Sequence, residues 1–314
     1  MLKAIQSRLH QGYRTNAFPE RDPALPARYR GLPVLDGARC DACGDCVERC
    51  PTDAIAVRGP GMLDGAFTQN AASSEVRAHI ATELSLDLGR CLFCGECETA
   101  CPSGAIHFSG SFRMGARAKE GLRLRTELAQ TTSALSNART AADSVRDETA
   151  GARAALPESR VEGQLIEALD ARMRAVFGRA MKIRQVSAGG CNACEADINV
   201  LETIGFDLSR FGIAITASPR HADALLVTGP VSKNMELALK KTYDAMPEPK
   251  IVIAVGACAI SGGIFAGSPD VCGGADTVIP VDLYLPGCPP HPMTILNGML
   301  ALLGRVSGYK KNLT

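Results

Sequence analysis

The sequence predicts two dissimilar domains, a small α+β unit followed by an α/β unit with a parallel sheet. Three observations carry this. A cysteine-rich segment occurs twice in the first half. Short apolar runs alternate with helical segments in the second half, the pattern of strands joined by helical crossovers. The remaining spaced cysteines fall where those runs end.

The repeat reads Cys40-Asp-Ala-Cys43-Gly-Asp-Cys46-Val-Glu-Arg-Cys50-Pro51 and again Cys91-Leu-Phe-Cys94-Gly-Glu-Cys97-Glu-Thr-Ala-Cys101-Pro102, an offset of 51 residues from Cys40 to Cys91. The continuations match as well, Thr52-Asp-Ala-Ile55 against Ser103-Gly-Ala-Ile106. Three closely spaced thiols converge on one [4Fe–4S] cube, and the Cys-Pro turn sends the fourth to its neighbour. The expected ligand sets are therefore Cys40, Cys43, Cys46 and Cys101 for one cluster, and Cys91, Cys94, Cys97 and Cys50 for the other. Zinc sites favour two separated Cys pairs and have no use for a third close thiol or the trailing Cys-Pro.

In the second half the strands are expected at Lys182 to Val186, Gly212 to Thr216, Ala224 to Thr228, Lys250 to Val255 and Val278 to Leu285. Helices are expected at Glu195 to Ile204, Lys233 to Ala245 and Pro292 to Leu303. In open α/β sheets, ligands bind beyond the carboxyl ends of the strands. Cys191 and Cys194 follow the first run, Cys258 the fourth and Cys288 the fifth, so four thiols converge on that edge as a third cluster site. Glu195 admits two readings: an acid favoured by the dipole at a helix start, or a carboxylate that handles protons beside the cluster. Cys272 has no partner left and is expected to be structural. The five histidines show no ligand pairing, and no dinucleotide or phosphate-loop motif occurs.

The other segments frame these sites. Residues 1–38 begin amphipathically at Leu2, Ile5 and Leu9, and Pro19, Pro23, Pro26 and Pro33 then forbid one continuous helix. They form either an extended arm on another surface or a loose terminus. A dicluster domain is assigned to 39–113, within which Glu75 to Leu88 has the composition of a short helix. Residues 114–160 turn to Ala, Ser, Thr, Arg and Glu, as a helical or disordered linker does; within them Lys119 to Leu135 has helix-forming residues. The second domain, 161–314, opens on an amphipathic helix at Val161 to Met181, with Leu165, Ile166, Leu169, Met173, Val176 and Phe177 on one stripe.

Bulk properties exclude other classes. The chain has 314 residues, 46% hydrophobic, and a net charge of +1, which gives no reason to expect nucleic acid as a partner. Its 13 cysteines, with no apolar signal core or twin arginine at the start, place it in a reducing compartment, the cytoplasm. The apolar runs fall short of the ~20 residues that span a bilayer, so membrane attachment is expected through partners.

Two resemblances follow from these motifs. Residues 40–108 resemble the two-cluster ferredoxin subunit of complex I and of membrane-bound hydrogenases. Residues 182–305 resemble the small subunit of energy-converting, formate-hydrogenlyase-type [NiFe] hydrogenases, itself homologous to the 20 kDa-like iron–sulfur subunit of complex I, the NADH-quinone oxidoreductase. The matching stretches are Gly189-Gly-Cys-Asn-Ala-Cys-Glu195, Ala222-Asp-Ala-Leu-Leu-Val-Thr-Gly-Pro-Val231, Gly256-Ala-Cys-Ala259 and Leu285-Pro-Gly-Cys-Pro-Pro290. The complex I version is expected to carry adjacent cysteines where Asn192 and Ala193 separate Cys191 from Cys194. The resemblance implies a fusion: a bacterial dicluster ferredoxin-like domain joined to a flavodoxin-like sheet, with three [4Fe–4S] clusters. It also implies partners, namely a hydrogenase or complex I-like large subunit, membrane subunits reached through the complex, and an electron-donor protein. The chain would then lie on the cytoplasmic face of the membrane through those partners, conduct single electrons, and leave catalysis to the large subunit.

Overall fold

Alternation of apolar and polar side chains organises the first half. In the computed structural model, residues 2–11, 14–58, 82–128, 175–177 and 180–306 are described. After helix α1 (Leu2–Gln11), β1 (Pro33–Leu35) pairs antiparallel with β4 (Ile106–Phe108), Val34 opposite His107. A second antiparallel sheet has the order β2 (Ile55–Arg58), β3 (Glu83–Asp87), β5 (Arg123–Glu127). Two short helices, α2 (Asp45–Glu48) and α3 (Glu96–Ala100), carry the third cysteine of each repeat, Cys46 and Cys97.

Two expectations change here. Residues 83–87, within the stretch read as helical, are a strand, because Leu84, Leu86 and Leu88 recur with period 2 and all three are buried; residues 75–81 lie outside the described residues. The three-stranded sheet also draws on residues beyond 113. Residues 119–122 make a 3₁₀ turn, and 123–127, given to a helical linker, form β5 instead. Its alternating charges find partners on β3, Arg123 with Asp87 at 3.8 Å and Arg125 with Glu83 at 3.9 Å. Charge on an outermost strand also discourages further pairing. The rest of the proposed linker lies outside the described residues.

The second half is a five-stranded parallel sheet of β6 (Met181–Ser187), β7 (Ile213–Ile215), β8 (Ala224–Thr228), β9 (Ile251–Val255) and β10 (Leu283–Leu285), in the order β10-β9-β8-β6-β7. Within the domain this is the flavodoxin-like order 2-1-3-4-5. Every residue of β8 and β9 is buried, as in strands covered on both faces. Helices α4 (Ala193–Val200), α5 (Lys233–Asp244), α6 (Ala257–Ser261) and α7 (Pro292–Leu302) connect or follow them. The last strand is shorter than the apolar run, since Pro280 offers no N–H to a ladder and residues 275–277 form a 3₁₀ turn. Of the expected helix at 161–181, residues 161–174 and 178–179 lie outside the described residues; 175–177 are helical and Met181 already belongs to β6, and Phe177 is buried while Val176 is 54% exposed.

Helix α7 is buried at all eleven positions, which a helix on one face of a sheet achieves only if something covers its other side. Residues 14–32 supply part of that cover. Phe18 is buried in the same core as α7 and meets Phe112 edge-on at 5.7 Å, and the Tyr29 hydroxyl lies 3.4 Å from Thr294 Oγ1. Arg210 fastens this segment, donating to the carbonyls of Asn16 at 2.8 Å and Phe18 at 2.7 Å.

The two halves pack against each other through one continuous apolar cluster that includes Leu88, Leu122, Ala254, Ile260 and Tyr284. Ala116 and Tyr284 exchange backbone hydrogen bonds of 3.0 and 2.8 Å, which covers the open edge of β10. Lys119 Nζ bonds Asp276 at 2.7 Å beside this bridge.

Candidate metal centres

The duplication extends to backbone conformation. Ala42 and Phe93 have φ of 57° and 55°, Gly44 and Gly95 of 91° and 81°, and Asp53 and Gly104 of 51° and 63°. These pairs share the offset of the repeat, and the left-handed residues wind each loop tightly enough for its thiols to face one point. Two cavities result. Cys40, Cys43, Cys46 and Cys101 line the first, with Val57, Leu84 and Ile106 as its apolar wall. Cys50, Cys91, Cys94 and Cys97 line the second, against Ile55, Leu86 and Phe108. Each cavity thus takes three thiols from one repeat and the fourth from the other.

The donor chemistry fits an iron–sulfur group. All 13 cysteines are free thiols. Burial, followed by the neighbouring thiols, pushes Cys46 up to about 12, and burial does the same for Cys91. Cys43 and Cys97 are pushed up to about 11, again chiefly by burial. Four thiolates around an apolar cavity are unfavourable without compensating positive charge, which iron supplies. Backbone amides already point at sulfur: Ala54 donates to Cys50 Sγ at 3.2 Å, Phe93 to Cys91 Sγ at 3.3 Å and Ala105 to Cys101 Sγ at 3.2 Å. Among the described residues no group of three His, Cys, Asp or Glu side chains is set to hold a single metal ion.

The third group sits at the carboxyl edge of the parallel sheet. Cys191 and Cys194 flank the start of α4 after β6, Cys258 lies in α6 after β9, and Cys288 follows β10. Burial and then the charges of Glu195, Cys258, Cys288 and Cys191 push Cys194 up to about 12. Burial, then Cys288 and Cys191, raises Cys258 to about 11. Cys191 and Cys288 are exposed, so this group opens to the surface, whereas no thiol of the other two groups is exposed. Gly256, at φ 90°, passes so close that a Cβ there would lie 2.6 Å from Cys194 Sγ.

Glu195 is in the first turn of α4 and 7% exposed. Thr228 Oγ1 donates to its Oε1 at 2.6 Å. Burial pushes the carboxyl up, but hydrogen bonds from Ser187, Thr228 and its own backbone N–H outweigh this and hold it below the ordinary value. Cys272 lies apart from all three groups, its thiol 3.5 Å from Glu236 Oε2. His291 caps α7, its Nδ1 accepting from the Met293 N–H at 3.1 Å.

Sequence reasoning did not single out Thr228, although it ends an apolar run beside a glycine. It gave no signal for Arg30, whose guanidinium lies on Gly95 and donates to the Phe93 carbonyl at 3.1 Å. Nor did it mark Gly89 and Ser261, which touch between the domains.

A duplicated cysteine loop and a parallel sheet with thiols at its carboxyl edge define an iron–sulfur electron-transport protein. Residues 39–105 match the 4Fe-4S dicluster domain, and residues 191–302 match the family described as NADH ubiquinone oxidoreductase, 20 Kd subunit. A probable membrane-bound hydrogenase subunit of Pyrococcus furiosus is 41% identical over 146 residues, 46% of this chain and 87% of that protein. Formate hydrogenlyase subunit 7 of Escherichia coli is 41% identical over 149 residues, covering 48% of this chain and 58% of that one. An NADH-quinone oxidoreductase subunit of Clostridium beijerinckii is 45% identical over 118 residues, 37% and 70% respectively. The chain belongs to the NADH ubiquinone oxidoreductase 20 kDa subunit family, fused behind a 4Fe-4S dicluster domain.

Proposed function

We propose that the chain is the iron–sulfur electron-transfer subunit of a membrane-associated, formate-hydrogenlyase-like [NiFe]-hydrogenase complex. Three groups of four thiols in one chain are the observation that carries this reading. Cys40, Cys43, Cys46 and Cys101 would hold one [4Fe–4S] cluster, Cys91, Cys94, Cys97 and Cys50 a second, and Cys191, Cys194, Cys258 and Cys288 a third. Such clusters, when bound, supply one-electron redox chemistry tuned by burial and hydrogen bonding. The apolar walls of the first two cavities exclude water, and the amides of Ala54, Phe93 and Ala105 favour the charged form of the sulfurs they face.

The exposed thiols Cys191 and Cys288 suit a site that a catalytic large subunit covers. That partner, membrane subunits and an electron-donor protein complete the assembly on the cytoplasmic face of the membrane. Among the described residues no helix is long and apolar enough to cross a membrane. The gap between Cys191 and Cys194, and the relatives from hydrogenase complexes, favour hydrogenase. The 45% identity to a subunit of NADH-quinone oxidoreductase supports a second reading, the same wire in a quinone-reducing complex.

Two measurements test the cluster count and separate these readings. Iron analysis gives about twelve irons per chain if three cubes are bound, and a value near eight removes the third site. Two Cys-x-x-Cys pairs in the co-encoded large subunit, with hydrogen-dependent dye reduction by the purified complex, support hydrogenase; lack of both overturns it. Glu195→Gln with iron content intact tests the proton-handling role: slowed turnover supports it, and unchanged turnover assigns Glu195 to the helix start.

A further inference from the structure

Ser261 closes α6, three residues beyond Cys258, and Gly89 lies two residues before Cys91. They are 172 residues apart in sequence, yet Ser261 Oγ donates to the Gly89 carbonyl at 2.9 Å. A helix-end serine ordinarily bonds back to its own helix, and Ala257 O is within reach at 3.1 Å. A hydroxyl has a single proton to give and lone pairs to accept with. Ser261 divides that proton between Ala257 and Gly89 while accepting from the Gly263 N–H at 3.3 Å. The hydroxyl therefore joins both sides of the Cys258 loop to the loop that presents Cys91.

Both sides of this contact are stiff. A Cβ on Gly89 would come within 2.8 Å of Ile260 Cγ2 and 3.2 Å of Leu122 Cδ1. The Gly89 N–H is taken by Asp87 Oδ1 at 2.8 Å, and the Cys91 N–H by Asp87 O at 3.0 Å. Across the interface, Gly262 N–H donates to Cys258 O at 2.9 Å, and Gly263 approaches Cys258 Sγ so closely that a Cβ would sit 2.9 Å from it.

We propose that Ser261 is a positioning residue that fixes the spacing between the Cys50, Cys91, Cys94, Cys97 site and the Cys191, Cys194, Cys258, Cys288 site. This rests on the three-cluster reading. With clusters bound at both sites, an electron would cross between the domains near this contact, the donor site losing one electron and the acceptor site gaining one, with no change of bond or proton. Because tunnelling falls steeply with distance, a small slip at Ser261 slows the crossing while leaving all twelve ligands in place.

The test uses the purified complex with Ser261→Ala, Ser261→Thr, which keeps the hydroxyl, and Gly89→Ala, which wedges the same contact from the other side. Readouts are iron per chain, the electron-paramagnetic-resonance splitting between the two reduced sites, and the transfer rate between them by rapid mixing. The expected result is full iron in Ser261→Ala, a weakened splitting and a transfer several-fold slower, with recovery in Ser261→Thr. Gly89→Ala weakens the splitting as well. Splitting and rate equal to the parent in either iron-complete variant, Ser261→Ala or Gly89→Ala, overturn the proposal. About eight irons in the parent protein would instead defeat the three-cluster reading beneath it.

Discussion

Replacing Gly256 by alanine probes the third thiol group more sharply than removing a ligand, because it displaces Cys194 without deleting a sulfur. The backbone there has φ 90° and ψ 155°, a region essentially reserved for glycine. It cannot relax easily: Gly256 N–H donates to Leu285 O and Ala257 N–H to Gly287 O, both at 2.8 Å. A non-glycine residue forced into left-handed space costs about 1–2 kcal/mol, and inserting a methyl into a packed site about 1–3 kcal/mol more. The collision falls on Cys194 Sγ at 2.6 Å, so the thiol is the atom that yields. The penalty is below the ~5–15 kcal/mol that stabilises a domain, and the site is lost before the fold is. Gly267→Ala is the control, since it shares a positive φ of 84° but has nothing within 4 Å. The assay is iron per chain with low-temperature electron paramagnetic resonance: Gly256→Ala falls from about twelve to about eight irons, one cube's loss, and Gly267→Ala stays near twelve. Gly256→Ala with full iron and three signals would refute the argument.

Crossed ligation is checked by pairing Cys101→Ala with Cys50→Ala. The first abolishes the signal of the site that contains Cys40, the second that of the site containing Cys91, and the reverse outcome contradicts the crossing. Thr228→Val removes a hydrogen bond to a buried carboxylate and costs about 1.5–3 kcal/mol at neutral pH. Glu195 is held below its ordinary value, so its stabilisation is present above the unfolded carboxyl range and is lost as pH falls through its folded value. Denaturant midpoints of parent and variant should differ fully at pH 7 and converge only as pH falls below the ordinary glutamate range of about 4.3; a difference that stays constant through that acid range rules this out. Cys272 is the one cysteine of 13 outside the proposed ligand sets, so iodoacetamide labels a single thiol per chain while iron is bound. Burial and then Glu236 push that thiol up, so labelling is slow at pH 7, quickens as pH rises, and is faster in Glu236→Gln; more than one label on the iron-complete protein would break the assignment.

How much could be read from the sequence depended on whether the cause was local. Strands β8 and β9 are continuous apolar runs, and their full burial on both faces is what such runs signal. The cysteine repeat placed its thiols because the loop conformation is set within a few residues, as the paired left-handed angles show. Arg123 to Glu127 concealed a strand, since alternating charges in isolation resemble a solvated segment and acquire meaning only opposite Asp87 and Glu83. The cover that Phe18 and Tyr29 place over α7, and the meeting of Gly89 with Ser261, join residues far apart in sequence. No periodicity or motif encodes such pairings, because they depend on how two finished surfaces fit.

The backbone pairing of Ala116 with Tyr284 has a kinetic consequence. Separate carrier proteins must meet before they exchange an electron, and their exchange slows on dilution. Here the two halves belong to one polypeptide and share a packed seam, so each sees the other at an effective concentration set by geometry rather than by how much protein is present. With clusters bound in both halves, passage between them would be first order and indifferent to dilution, and concentration would govern only encounters with separate partner proteins.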